Sequence, residues 1–266
     1  MKQGKFILLI ITGILITVSC KSSYEAIFNT TDIQQKYQGA KTLFDKGKYL
    51  KASTIYEQLL IDVNGTPQDD TVKFYLGLSN YKYGDYVAAE ANFQEFVSTF
   101  PRSPFTEEAQ FLRIECLYKE TYRYELDQMP TYKAMAAINE YLYEHPNTTN
   151  LRRCRDILVD LQERLDKKSL EAAKLYYTTE DYKSAAYALK NTLKENSDNQ
   201  YREDIMYYIV CSNYKYASNS VPQKQKERFL VLVDEYYNFI SEYPESKYRK
   251  ELDGMFAEAQ KVTNKK

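Results

Sequence analysis

The segment Phe74-Tyr75-Leu76-Gly77-Leu78-Ser79-Asn80-Tyr81-Lys82-Tyr83 recurs as Tyr207-Tyr208-Ile209-Val210-Cys211-Ser212-Asn213-Tyr214-Lys215-Tyr216, with Ser-Asn-Tyr-Lys-Tyr identical in both. A second phrase travels with it. Phe96-Val97-Ser98-Thr99-Phe100-Pro101-Arg102-Ser103 returns as Phe239-Ile240-Ser241-Glu242-Tyr243-Pro244-Glu245-Ser246, and a shorter echo ends at His145-Pro146. Recurrence of this kind confines a chain to a stack of like units, each too small to bury its apolar face alone. Between the recurring phrases the pattern is helix, turn, helix. Gly47-Lys48-Tyr49 precedes Ala52, Tyr56 and Leu59; Gly84-Asp85-Tyr86 precedes Ala89, Phe93 and Phe96; Glu180-Asp181-Tyr182 precedes Ala185 and Leu189. That spacing is one apolar helix face, with alanine where two helices approach closely. A glycine before it suits a left-handed helix cap, and the tyrosine after it packs under the turn.

These residues resemble the tetratricopeptide repeat, whose length is about 34 residues. The copy at 73–101 matches best, through Leu76-Gly77, Gly84, Tyr86, Ala89, Phe93, Phe96 and Pro101. The expected fold is all-α, a solenoid of about five helix-turn-helix repeats with a C-terminal capping helix. The copies fall near 35–64, 72–101, 109–146, 168–197 and 205–244. Thr121 to Thr131 and Ala217 to Lys224 lengthen the turns of the third and fifth. Residues 150–178 read as one long helix, carrying Leu151, Cys154, Ile157, Leu158, Leu161 and Leu165 at helical spacing. Tyr248, Leu252, Phe256 and Ala259 mark the closing helix, with polar Thr263-Asn264-Lys265-Lys266 after it, as a terminal cap requires.

The first twenty residues are an address. Lys2 and Lys5 lead a 13-residue apolar stretch from Phe6 to Val18, the length of a signal-peptide core and short of the ~20 residues a spanning helix needs. It ends in Thr17-Val18-Ser19-Cys20, which resembles the lipobox of bacterial lipoproteins, although Thr17 replaces the usual branched aliphatic residue. Cleavage would leave Cys20 as a lipidated first residue, and acyl chains at ~0.8 kcal/mol per buried CH₂ hold a soluble domain on a membrane. The expected organisation is a leader at 1–19, a lipidated tether at 20–34, three repeats over 35–146, and over 147–266 the long helix, two repeats and the cap. Cys116, Cys154 and Cys211 remain, an odd number that forms no complete disulfide framework; burial as small apolar side chains is the simpler reading.

Composition narrows the function. A formal net charge of −1 and a pI near 6.1 offer no basic face for nucleic acid. With one histidine, no tryptophan and four cysteines, the chain lacks the usual materials of general-base catalysis and histidine-rich metal sites. No glycine-rich phosphate loop, serine elbow or histidine pair is present, so neither an enzyme, a cofactor nor a metal is expected. Tyrosine, at 27 residues, is the anomaly.

Tyr37, Phe44, Phe74, Tyr81, Phe111, Tyr118, Leu170, Tyr177, Tyr207 and Tyr214 form five pairs, one per first helix, seven residues apart within each pair. Two turns apart is the same helix face, so stacking aligns them as ridges. Two roles fit: an aromatic groove for an extended polypeptide, since tyrosine gives large rigid contacts and a hydroxyl, or packing between repeats. Membership in the tetratricopeptide family implies that these positions face the inner surface.

The order of features resembles the BamD family, the lipoproteins of the outer-membrane β-barrel assembly machinery. The resemblance rests on Cys20, on Lys36-Tyr37-Gln38-Gly39-Ala40-Lys41 through Gly47-Lys48-Tyr49, on the enlarged turn with Asp127-Gln128, and on Tyr141-Leu142-Tyr143-Glu144-His145-Pro146-Asn147-Thr148 before a long helix. It implies a scaffold anchored to the outer membrane and facing the periplasm. Its N-terminal repeats, with Tyr37, Phe44, Phe74, Tyr81, Phe111 and Tyr118, would receive unfolded outer-membrane protein precursors. Its C-terminal repeats, with Tyr177, Tyr207 and Tyr214, would grip the periplasmic domains of the barrel-forming partner. Other occupations of the same fold are an adaptor lipoprotein for cell-division or pilus-secretin machinery and a glycan-binding lipoprotein; the absence of tryptophan disfavours the last.

Overall fold

A computed structural model describes residues 24–264; the leader and Cys20 lie outside the described residues. All regular structure among the described residues is helical. After α1 (24–29) come α2 (Ile33–Asp45), α3 (Tyr49–Val63), α4 (Asp69–Tyr83), α5 (Tyr86–Thr99), α6 (Thr106–Lys119), α7 (Met129–Glu144), α8 (Leu151–Thr178), α9 (Tyr182–Glu195), α10 (Arg202–Ser218), α11 (Pro222–Glu242) and α12 (Arg249–Thr263). The chain forms two compact units. One holds residues up to Thr121 with Met129–Cys154, the other Tyr122–Gln128 with Arg155 onward. The division therefore falls inside α8 rather than in the loop before it.

The first unit stacks the pairs α2/α3, α4/α5 and α6/α7. Ala52, Ala89 and Ala134 are fully buried where the paired helices meet. Gly84 closes α4 at φ 96°, a left-handed conformation that costs glycine little, and Asp85 then caps α5 by accepting from the Ala88 N–H at 3.0 Å. The core runs from Ala40, Leu43, Ile55, Tyr56 and Leu59 to Phe74, Phe93, Phe96, Ala109 and Cys116. Gly77 is required by close approach: a Cβ there would stand 2.9 Å from the Phe93 ring.

The stretch 20–34, expected as a tether, is largely structured in its described part. Residues 24–29 are helical, and Tyr24 and Ile27 pack against the first-repeat core. Ile27 fills the space over Gly39, where a Cβ would come within 2.5 Å of its Cγ2. The sequence pattern missed this helix because six residues show less than two turns of periodicity.

The second unit stacks α8 with α9 and α10 with α11, and α12 closes it. Ala185, Leu189, Ile205 and Leu232 are fully buried. The pair α8/α9 turns through Glu180 at φ 64°, the position that Gly47 and Gly84 hold in the first unit. The lengthened turn expected from Ala217 to Lys224 is instead three residues, 219–221, between two longer helices. Pro222 supplies the fixed φ of a first helical position, and Gln225 Nε2 donates to the carbonyls of Ser218 and Ser220. The other enlarged turn is real: 120–128 lies between α6 and α7, with Gln128 buried and donating to the carbonyls of Arg123 and Leu126.

One hydrogen bond recurs in four repeats. An acid in the first helix, four residues before the aromatic-stripe position, accepts from the turn that ends the same repeat. Ser103 Oγ donates to Asp70 at 2.8 Å, Thr148 Oγ1 to Glu107 at 2.9 Å, and Ser246 Oγ to Glu203 at 2.6 Å. In the fourth repeat Asp166, 2% exposed, accepts from Asn196 Nδ2 at 2.8 Å and from the Gln200 N–H at 2.9 Å. Each repeat is thus closed on itself across some 30 to 43 residues of chain.

Candidate functional site

The stripe positions lie on α2, α4 and α6 in the first unit and on α8 and α10 in the second, and none of the ten is fully open to solvent. Phe74 and Leu170 are buried, at 2% and 5% exposure. Tyr37, Phe44, Tyr81, Phe111, Tyr118, Tyr177, Tyr207 and Tyr214 are half-buried. Phe44 meets Tyr49 and Tyr75 edge-on, both with centroids 5.3 Å apart; Phe74 stacks on Phe105 at 4.6 Å; Tyr81 meets Tyr86 at 5.8 Å; Phe111 leans on Tyr141 at 6.1 Å. The Arg153 guanidinium lies 5.4 Å from the centre of the Tyr118 ring and is itself held to Glu115 by two hydrogen bonds, of 2.7 and 3.0 Å. Phe44, Phe74, Tyr81, Phe111 and Tyr118 are thus each engaged by a neighbouring ring or guanidinium.

The C-terminal candidates are engaged more deeply. Tyr177 sits between Tyr182 and Tyr208 at 5.5 and 5.3 Å, and burial pushes its phenol up to about 12. Tyr207 stacks on Tyr248 with centroids 3.9 Å apart and donates to Glu251 at 3.0 Å; Tyr214 donates to Glu258. Both carboxylates belong to α12, so the closing helix is fastened by phenol-to-carboxylate bonds across this face. Tyr75 and Tyr208, beside the stripe, carry contacts between repeats that stripe spacing alone missed. The duplicated Phe74-Tyr75 and Tyr207-Tyr208 pairs held that signal.

A second surface is repeated in the two units, formed where a first helix lies between two second helices. In the first unit a cavity of about 240 Å³ is bounded by Val97, Gln110, Arg113, Tyr141 and Glu144. In the second a groove of about 620 Å³ is bounded by Leu193, Met206, Ile209, Asn238 and Glu242, largely the equivalent positions. Polar groups crowd both. Arg113 and Lys133 reach Glu90 at 3.0 and 3.3 Å, Lys190 pairs with Glu235, and Arg202 pairs with Glu242, holding the Glu242 carboxyl below its ordinary range. His145 bridges helices, its Nε2 lying 2.6 Å from Gln110 Oε1.

Cys116, Cys154 and Cys211 are free and buried. Among the described residues no group of three or more metal-binding side chains converges, and no helix is long and apolar enough to cross a membrane.

Paired antiparallel helices, alanine at their crossings, glycine-capped turns and a packed aromatic ridge define a tetratricopeptide-type protein, a class in which stacked helix pairs build one extended surface. Residues 29–177 match the family model described as YfiO, outer membrane lipoprotein, and the chain belongs to that family. The outer membrane protein assembly factor BamD of Caulobacter vibrioides is 21% identical over 163 residues, 61% of this chain and 52% of that protein. The chain thus matches over about half the length of this curated relative. Among solved structures, a thermophilic TPR protein of Thermus thermophilus is 17% identical, covering 85% of this chain and 98% of that one with a TM-score of 0.34. The TPR2AB domain of yeast Sti1, in a pHSP90 complex, is 13% identical, covering 83% and 95% with a TM-score of 0.40.

Proposed function

We propose that this chain is a non-enzymatic scaffold lipoprotein in the assembly and insertion of outer-membrane β-barrel proteins. It is anchored through acyl chains on Cys20 and faces the periplasm. The observation that carries this reading is the family match over 29–177, which spans the first unit and enters the second; the similarity to an outer-membrane assembly factor supports it. Unfolded barrel precursors expose strands of alternating apolar residues. The half-buried Tyr37, Phe44, Tyr81, Phe111 and Tyr118 would touch them with ring edges and hydroxyls, with Phe74 supporting from beneath. Such contacts release their cargo readily, as an assembly step requires. The barrel-forming partner is assigned to the second unit, where Tyr177, Tyr207 and Tyr214 shape the surface through α9 and α12.

The test is a detergent-solubilised pull-down of the lipidated, C-terminally tagged chain from its native membrane, read by mass spectrometry. Recovery of a barrel-forming assembly protein in near-equal amount is the expected result. A secretin or a cell-division protein in its place would overturn the function and leave the fold untouched.

A further inference from the structure

The spacer between the proposed anchor and the folded chain is short. From Cys20 to Tyr24 is four residues, at most about 14 Å even fully extended. From Tyr24 onward the chain is fixed: Tyr24 and Ile27 join the first-repeat core, and Lys51 Nζ lies 4.8 Å from the centre of the Tyr24 ring. Among the side chains that α1 and the following turn leave uncovered, two large apolar ones stand beside polar Glu25, Asn29, Thr31 and Asp32. Phe28 is 36% exposed and Ile33, the first residue of α2, is 41% exposed. Ile61, at 86%, lies at the same end of the first repeat, because it and Ile33 stand equally far from the turn that joins the antiparallel helices α2 and α3.

We propose that this end of the first repeat is a bilayer-contact surface: Phe28 and Ile33 enter the headgroup layer of the phospholipid leaflet that holds the acyl chains of Cys20. The inference rests on the lipid-anchor reading above. Aromatic and aliphatic side chains partition into the interfacial layer. A tether of four residues also makes the contact intramolecular, at an effective concentration in the millimolar range, so weak insertion suffices. Headgroup attraction is not the driving force, since Glu25, Asp32 and Asp62 are exposed in the same region. The contact is therefore not weakened by salt and gains nothing from added anionic lipid.

The chain contains no tryptophan, so a single one reports its own surroundings. The full lipidated protein carrying Phe28→Trp is placed in phosphatidylethanolamine/phosphatidylglycerol vesicles with and without brominated acyl chains; Val87→Trp, on an exposed position of α5, is the control. The expected result is a blue-shifted emission and roughly twofold stronger quenching for Phe28→Trp than for the control, not weakened by salt. Ile33→Trp gives a second probe should the first variant misfold. Equal quenching of probe and control in a chain whose Cys20 is acylated by mass overturns the contact alone. A Cys20 without acyl chains overturns both the contact and the anchor.

Discussion

Asp166 tests the recurring acid-to-turn bond most severely, because it is the most buried of the four acids. Its carboxylate takes hydrogen bonds from Gln162 Nε2 and Asn196 Nδ2, each at 2.8 Å, and from the Gln200 N–H at 2.9 Å. Asp166→Ala leaves at least two of these donors without a partner, and each orphaned group costs about 1–3 kcal/mol. Alanine's better helix propensity returns a few tenths of a kcal/mol within α8. The net loss should be about 2–4 kcal/mol. Glu107 occupies the equivalent position in the third repeat, but its side chain is 49% exposed. Water replaces what Glu107→Ala removes, so the cost there should stay below about 1 kcal/mol. Urea unfolding followed by far-ultraviolet circular dichroism measures both, and hydrogen exchange at 196–202 localises the first. Equal losses at the two sites would refute the reasoning, since burial would then not govern the bond.

Glu180 holds a left-handed conformation that costs a non-glycine residue about 1–2 kcal/mol; Glu180→Gly should therefore raise stability by roughly 0.5–1 kcal/mol once glycine's extra unfolded-state entropy is subtracted, seen as a higher urea midpoint. Gly39→Ala forces Ile27 away and should free residues 24–29 to exchange rapidly while the rest of the unit stays protected, and adding Ile27→Ala should restore slow exchange. Burial pushes the phenols of Tyr177 and Tyr243 up to about 12. Raised values contribute stability that is complete below the ordinary tyrosine range near 10 and is lost as pH rises through 12. Ultraviolet titration should find these tyrosines ionising together with loss of helicity between about pH 10 and 12; free ionisation near 10 would contradict their burial. The Asp253 carboxyl, held down by Tyr236 and Arg249, acts in the opposite sense. Its contribution is present above the ordinary carboxylate range and fades as pH falls below it, so Asp253→Asn should flatten the acid limb of the unfolding curve.

Local periodicity made the helix pairs legible. Ala52, Ala89 and Ala185 were readable as crossing points because each follows a turn signal by a fixed interval, and all three are fully buried. The stretch 150–178 contains α8 almost to the residue. What stayed hidden were contacts between residues distant in the chain. The acids at 70, 107, 166 and 203 recur at one repeat position, yet their partners lie 30 to 43 residues away and vary between serine, threonine and asparagine. The stripe was visible as spacing, but whether its rings stood open depended on Tyr75, Tyr208 and Tyr248, which fill the gaps beside it. The short turn at 219–221 escaped for a similar reason: polar residues that looked like a loop extend α11 by a full turn behind Pro222.

The three buried thiols set a schedule on this chain's maturation. Burial pushes Cys116 and Cys211 up to about 12 and raises Cys154 as well, so in the folded chain almost no thiolate exists to attack an oxidant. In the unfolded chain the same three sulfurs are exposed. Helices built from local contacts close in microseconds to milliseconds, far ahead of disulfide exchange. In an oxidising compartment rapid folding would keep these cysteines reduced, and a change that slows the stacking of repeats would show itself first as a disulfide rather than as a lost helix.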